Sequence, residues 1–172
     1  MAVSMGRKSA EPLAIIGIGC RLPGDVYSPS DFWEALSCGK SGICNVPEDR
    51  WLHERLHDTD VEKYGNIRNA RGGFIQSVDQ FDGEFFGYFP AEARRIDPQQ
   101  RILLELTHEA MEDAGVRRDQ LDGSRTAVFI GSFMYDHLCI QAAHEHRDQI
   151  NPYVAMGTSV SALANRISYV FN

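Results

Sequence analysis

The sequence DPQQRILLELTHEAMEDAG, residues 97–115, decides the fold. Asp97 suits the N-cap of a helix, and Pro98 suits the first helical position, where no backbone N–H is needed. Gln100, three residues after the cap, gives a capping-box-like start. Gly115 is a typical C-terminal stop. The apolar face predicted from the 3.6-residue period consists of Ile102, Leu103, Leu106, Ala110, Met111 and Ala114.

Short apolar runs lie on both sides of this helix in the sequence. Residues 13–18 (LAIIGI) stand between Pro12 and Gly19, and residues 126–130 (TAVFI) end at Gly131. Runs of this length between turn residues are typical of buried strands. Strands separated by helices indicate an α/β protein.

Further helices are expected before and after these elements. Ser28 can cap a helix that begins at Pro29 and ends at Gly39. Its apolar face consists of Phe32, Trp33 and Leu36. Residues 137–147 and 158–171 are also predicted to be helical, with a break at Pro152. Residues 40–72 are predicted to form loops with short helical pieces, and the phenylalanines that follow are expected to pack at a core edge.

Composition limits the function classes. The chain has 172 residues, 43% of them apolar and 24% charged, which is ordinary for one globular domain. We expect residues 1–10 to be a disordered leader and residues 11–172 to form the domain. The net charge of −7 argues against nucleic acid as a partner. No apolar run approaches the ~20 residues that cross a bilayer, and no secretory signal is recognisable, so we expect a cytoplasmic protein with four reduced cysteines.

Two local patterns suggest chemistry that their contexts oppose. Residues 17–22 (GIGCRL) resemble the start of a dinucleotide-binding loop, but Leu22 replaces the third glycine and Pro23 prevents an immediate helix. His53-Glu54-Arg55-Leu56-His57 matches the zinc-protease pattern H-E-x-x-H. Its polar surroundings and the missing third ligand favour a chance match, and we predict no metal site.

The remaining reactive side chains give no self-evident active site. Ser132 after Gly131 does not fit a nucleophile elbow, and no cysteine lies in a sequence setting that marks an activated thiol. Cys139 is expected to be a structural thiol. The histidines at 137, 144 and 146 are expected to be exposed polar residues of a helix, because no carboxylate or thiol completes a ligand set.

Seven stretches, taken in order, resemble the opening of β-ketoacyl synthases of type I polyketide and fatty acid synthases. The resemblance covers nearly all of residues 11–172. The stretches are EPLAIIGIGCRLPG (11–24), DFWEAL (31–36), VPEDRW (46–51), GGFI (72–75), FDGEFFG (81–87), DPQQR (97–101) and ANRISY (164–169). Phe89 before Pro90 departs from the family, which usually has a serine cap there.

The resemblance implies a fold and a reaction. The fold is thiolase-like, with αβαβα layers, of which this chain is the N-terminal portion, and the full-length form is a homodimer. The reaction is a decarboxylative Claisen condensation. A cysteine holds an acyl group as a thioester, and a malonyl-type extender on the phosphopantetheine of an acyl carrier protein attacks it. Acyl carrier protein and other synthase domains are the implied partners, and no cofactor is implied.

The resemblance also implies that the nucleophilic cysteine and both catalytic histidines lie beyond Asn172. No catalytic residue is therefore assigned in this chain, and the chain alone is expected to be inactive. Two short regions match segments that line the acyl pocket or the dimer seam, although ordinary core packing would explain them equally well. The candidates are Phe133, Met134, Tyr153 and Met156.

An alternative from another class stays open at this point. The chain could be a truncated, non-catalytic paralogue that binds a synthase or a carrier protein. Continuation of the reading frame past Asn172 into a cysteine-containing motif would favour the enzyme, and a stop codon would favour the binding module.

Overall fold

A computed structural model describes residues 11–51, 56–60 and 64–171. The described part is mainly helical and holds one small sheet. The helices are α1 (Pro29–Ser37), α2 (Pro90–Ala93), α3 (Pro98–Asp113), α4 (Arg118–Leu121), α5 (Asp136–Gln141), α6 (Pro152–Thr158) and α7 (Ala162–Phe171), with a 3-10 helix at His144–Gln149. The strands are β1 (Ile43–Asn45) and β2 (Arg71–Gly73). The predicted leader, residues 1–10, lies outside the described residues.

Both predicted helix starts are confirmed in α1 and α3. The side chain of Ser28 accepts a hydrogen bond from the backbone N–H of Asp31, and Asp97 accepts one from Gln99. Each helix has proline at its first position. Gly39 and Gly115 follow the helix ends with φ of +65°, a conformation that glycine adopts without steric cost.

The packed core lies between α3 and α7. Ile96 and Leu104 are fully buried, and Ile167, Val170 and Phe171 of α7 pack around them. Phe86 and Tyr88 extend this core, and the rings of Phe81 and Phe86 stack with centroids 5.4 Å apart. The predicted aromatic core edge is therefore present, although Phe85 and Phe89 point outward.

The two predicted buried strands are wrong in their burial and pairing. Residues 13–18 and 126–130 are extended, but neither pairs as a strand within the described part of the chain. Leu13 is 97% exposed and Phe129 is 90% exposed. The physical reason is that a strand becomes buried only when neighbouring strands cover its edges and faces, and these segments have none here. We call them the two extended segments.

Each extended segment nevertheless has one packed side. A Cβ on Gly17 would lie 2.1 Å from the carbonyl oxygen of Ala110, so the backbone touches α3 directly. The N–H of Ile18 donates to Asp113 Oδ2 at 2.9 Å. Val128 and Ile130 pack against the core, while Phe129 between them points away. An apolar cavity of about 560 Å³ lies between the two segments, α3 and α7.

The region predicted as loops contains the sheet. β1 and β2 pair antiparallel, with Ile43 opposite Gly73 and Asn45 opposite Arg71. The strands have three residues each and are separated by a long connection. Segments this short are not predictable from an alternation of apolar and polar residues.

The C-terminal helices differ in detail from the prediction. Residues 137–147 divide into α5 and the 3-10 helix, and residues 158–171 form a helix only from Ala162. Pro152 begins α6, where Asn151 caps the helix by accepting from the N–H of Tyr153. None of the described helices combines the length and apolar character of a membrane span.

Candidate functional site

The four residues proposed from sequence form parts of an outward-facing apolar surface. Phe133 is 81% exposed and Met156 is 59% exposed. Met134 and Tyr153 are also exposed. Phe133 and Met134 lie just before α5, and Tyr153 and Met156 lie on α6. Helices α5 and α6 are in contact. The structure therefore places the candidates on neighbouring segments, and we call them the apolar face.

The start of α3 holds the first of these segments. Ser132 donates its hydroxyl hydrogen to Gln99 Oε1 at 2.9 Å, directly before Phe133. At the far end of α5, the buried amide of Gln141 donates to the carbonyl of Arg95 at 2.9 Å. The segment that carries Phe133 and Met134 is thus tied at both ends to residues 95–99.

The same helix start holds the second segment. Gln100 is 2% exposed, and its side-chain amide donates to the carbonyls of Met156 at 3.2 Å and Ser159 at 3.1 Å. The N–H of Asp97 donates to the carbonyl of Gly157 at 2.8 Å. Gln100 therefore does not complete the predicted capping box, because its side chain is used by the turn 156–159 instead.

Arg166 completes this arrangement from α7. Its Nε donates to Gln100 Oε1 at 2.6 Å, and its Nη2 donates to the carbonyl of Met156 at 3.3 Å. Nη1 pairs with Glu92 at 3.4 Å, and the guanidinium lies 4.9 Å from the centroid of the Tyr88 ring. We call Gln100, Arg166, Glu92 and the carbonyls of Met156 and Ser159 the polar node.

Sequence reasoning missed the polar node. The local pattern indicates only a cap at Gln100, and Arg166 is noticeable only as part of a family motif, since charged residues are seldom fully buried. One signal was available: Arg166 stands between Leu163 and Ile167 on the apolar side of α7. A cation on that side requires buried acceptors.

His137 differs from its prediction as an exposed residue. It is partly buried, and its Nε2 has no hydrogen-bond partner among the described residues. Burial lowers the pKa of His137 below its ordinary value, and the charge of Arg101 acts in the same direction, while the charge of Asp97 and a hydrogen bond to the backbone of Arg95 oppose the shift. The imidazole therefore favours its neutral form.

The environment of the Cys20 thiol disfavours its thiolate form. All four cysteines are free, and Cys38, Cys44 and Cys139 are exposed. Burial raises the pKa of the Cys20 thiol, and the carboxylates of Asp31 and Glu109 raise it further. A catalytic thiol needs the opposite environment, one that stabilises the thiolate.

The dinucleotide-loop pattern at residues 17–22 and the H-E-x-x-H pattern at residues 53–57 have different structural outcomes. Gly17 and Gly19 face α3, where a Cβ on Gly19 would lie 2.7 Å from the carbonyl oxygen of Leu106, so their small size serves helix packing. Of the H-E-x-x-H pattern, His53 and Glu54 lie outside the described residues, while His57 Nε2 lies 3.2 Å from the carbonyl oxygen of Arg68. Within the described ranges no group of three or more His, Cys, Asp or Glu could hold a metal.

Comparison with known proteins identifies the family. The profile described as "Beta-ketoacyl synthase, N-terminal domain" matches residues 10–172. The chain belongs to the β-ketoacyl synthase family. Its resemblance to ketosynthases of type I polyketide synthases is confirmed by two relatives, both of them polypeptides of the phenolphthiocerol/phthiocerol polyketide synthase of Mycobacterium tuberculosis. It is 41% identical over 166 residues to one of them and 44% identical over 161 residues to the other.

Solved ketosynthases confirm the thiolase-like α/β fold. The oxazolomycin ketosynthase domain of Streptomyces albus JA3453 superposes with a TM-score of 0.80 at 37% identity. The module 6 ketosynthase of the bacillaene synthase from Bacillus subtilis 168 gives 0.74 at 28%. These matches cover 91% and 92% of this ketosynthase segment, but 27% and 25% of the solved chains.

The matched segment is a small part of its multidomain relatives. The alignments cover 95% and 94% of this chain, but only 8% and 10% of the two mycobacterial polypeptides. The segment corresponds to the N-terminal portion of the fold.

Proposed function

We propose that this chain is the N-terminal segment of a ketosynthase that extends polyketides by decarboxylative Claisen condensation. The observation that carries the proposal is the match to the family over residues 10–172. In this reaction a cysteine thiolate displaces the thiol of an acyl donor and keeps the acyl group as a thioester. The carbanion left when a malonyl-type extender loses carbon dioxide then attacks that thioester and releases the cysteine.

We propose that the segment supplies pocket and contact surface, and that other parts of the ketosynthase supply the nucleophile and the two histidines. The environment of Cys20 supports this division, because burial and nearby carboxylates disfavour its thiolate. The segment alone is therefore expected to be inactive. We expect no cofactor, because the substrates travel on the phosphopantetheine of acyl carrier protein.

The apolar face supports a role in the acyl pocket or the dimer seam. Large exposed apolar side chains on neighbouring segments are typical of surfaces that bind a ligand or a protein. We propose that Phe133, Met134, Tyr153 and Met156 border the acyl chain where two ketosynthase copies meet. Partners then include acyl carrier protein, further synthase domains and a second copy of the ketosynthase, all in the cytoplasm.

The test compares the segment with the complete ketosynthase-containing protein. Each is incubated with acyl N-acetylcysteamine thioesters, and intact-mass spectrometry measures covalent acylation. We expect one acyl group on the complete protein and none on residues 1–172. Stable acylation of the segment would contradict the division of roles, and failure of the complete protein to be acylated would contradict the proposed function.

Met134 offers a narrower test of the pocket. In the complete protein, Met134→Gly removes the whole side chain and should admit longer acyl chains, by an effect of about tenfold in relative acylation rate. Relative rates for short and long acyl thioesters measure this. An unchanged preference would remove Met134 from the pocket.

A further inference from the structure

The polar node controls the position of the turn that carries Met156. The backbone of this turn accepts hydrogen bonds from two buried side chains that come from different helices. Gln100 reaches it from α3 and Arg166 reaches it from α7. The two side chains also bond to each other, so the position of one fixes the position of the other.

The turn has little freedom to move toward α3. A Cβ on Gly157 would lie 2.3 Å from the carbonyl oxygen of Arg95, which is closer than atoms can pack. The N–H of Asp97 also binds the carbonyl of Gly157, at 2.8 Å. The close contact with Arg95 and the hydrogen bonds from Asp97 and Gln100 therefore hold the turn at one distance from the helix start.

The side chains of α6, whose last residues begin the turn 156–159, divide between the interior and the surface. Val154, Gly157 and Thr158 are buried, while Tyr153 and Met156 point outward. Because buried hydrogen bonds fix the backbone, they also fix the positions of these two side chains at the surface. Moving the backbone would move Met156 without altering its chemical character.

We infer that Gln100 and Arg166 are positioning residues that set the acyl-chain-length preference by fixing the turn 156–159. The inference rests on the proposed function, because it needs Met156 at the acyl pocket. The hydrogen bonds of the two residues go to protein groups, so we assign them a positioning role and not a catalytic one. They act through the carbonyls of Met156 and Ser159.

The sharpest variant is Gln100→Glu in the complete ketosynthase-containing protein. A carboxylate at this position still accepts from Arg166 but has no N–H to donate to the carbonyls of Met156 and Ser159. The turn then loses its two side-chain hydrogen bonds from α3, to Met156 and Ser159, while the partner of Arg166 remains. The matched control is Gln120→Glu, an exposed glutamine on α4 that accepts from the N–H of Arg117, as a glutamate also can.

A second variant moves the turn by another route. Gly157→Ala adds one methyl group against the carbonyl of Arg95 and leaves Gln100 and Arg166 unchanged. If the position of the turn matters, both variants shift the preference. If Gln100→Glu does not yield folded protein, Gly157→Ala provides the test by itself.

The measurement is the ratio of acylation rates for long and short acyl thioesters, together with the melting temperature. A loss of folded protein lowers all rates equally and leaves the ratio unchanged, so the ratio separates positioning from stability. We expect a change in the ratio of about tenfold in both variants and none in the control. Unchanged ratios in folded variants would overturn the inference alone, whereas an inactive wild-type protein would overturn the proposed function and the inference with it.

Discussion

The polar node and the two extended segments show opposite relations between polarity and burial. In the polar node, a charged and an amide side chain are buried, and their partners lie within the described residues. In the extended segments, apolar side chains that should be buried lie in contact with solvent. Burial thus follows the presence of partners more closely than the polarity of the residue.

The comparison also separates the need for a structural partner, which the sequence indicates, from the identity of that partner, which only the contacts show. The spacing of residues 13–18 shows that a covering layer is needed, but it does not show where that layer comes from. The contacts of Arg166 show that its partners are provided by α2, α3 and the last turn of α6. The extended segments are therefore the part of this ketosynthase segment that depends most on other parts of the fold.

The largest expected effect concerns the extended segments. Residues 1–172 produced alone should aggregate, because exposed apolar runs with unpaired backbone groups associate with one another. The double variant Ile15→Lys, Phe129→Lys should aggregate less, as measured by size-exclusion chromatography with light scattering. Tyr64→Lys is the matched control, since Tyr64 is 98% exposed but lies outside these segments. A monodisperse wild-type segment with a cooperative melt would contradict the conclusion that the extended segments need a covering layer from other parts of the fold.

The next effect concerns the polar node. Arg166→Leu removes charge-assisted hydrogen bonds to Gln100 and Met156 and leaves the buried Oε1 of Gln100 without the donor that Arg166 supplies. We expect the free energy of unfolding of the ketosynthase domain to fall by about 3 kcal/mol, measured by urea denaturation. Arg117→Leu, which breaks an exposed ion pair with Asp119, should leave it within error. Equal effects of the two substitutions would show that the node contributes no more than surface charge does.

A smaller effect is expected where an extended segment does touch the core. Gly17→Ala forces a methyl group against the Ala110 carbonyl and the Ala114 side chain on α3. Overpacking of this kind costs about 2 kcal/mol, which urea denaturation of the same domain would detect. Gly131→Ala is the control, because nothing lies within 4 Å of its added methyl group. A stable Gly17→Ala protein would show that the segment is free to move away from α3.

The smallest effect is a pH dependence at His137, whose charged neighbours Asp97, Arg101 and Arg95 lie around the start of α3. Because the pKa of His137 is lowered in the folded state, the unfolded chain binds the proton more readily. The stabilising contribution is fully present above the ordinary pKa of 6.5 and is lost as the pH falls below it. His137→Asn should flatten this part of the stability curve in urea denaturation at several pH values. Parallel curves of unfolding free energy against pH for wild type and variant would show that folding does not change the proton affinity of His137.

Local sequence signals predicted the boundaries of α1 and α3 well. Caps such as Ser28 and Asp97, and stops such as Gly39 and Gly115, act within one turn of the chain, so a short window contains the whole interaction. The family was likewise readable from short motifs in their order. The four residues of the apolar face were assigned to the acyl pocket or the dimer seam only through the resemblance, and that role stays a prediction.

Long-range interactions were not predictable in the same way. Gln100 and Arg166 are 66 positions apart, and no short window contains both. β1 and β2 are joined across a long connection without a hairpin signal. The burial of residues 13–18 and 126–130 depends on strands that the described part does not provide. Each of these failures concerns a partner that lies far away in the sequence.

The wide separation of Gln100 and Arg166 has a consequence for recombining synthases. A chimera whose crossover falls between residues 101 and 151 takes Gln100 from one parent and Arg166, together with the turn that both hold, from the other. If the parents differ at either position, the chimera contains residues 100 and 166 that did not occur together in either parent, even when every helix and cap is inherited intact. Exchange boundaries placed before residue 92 or after residue 166 keep these partners in one piece.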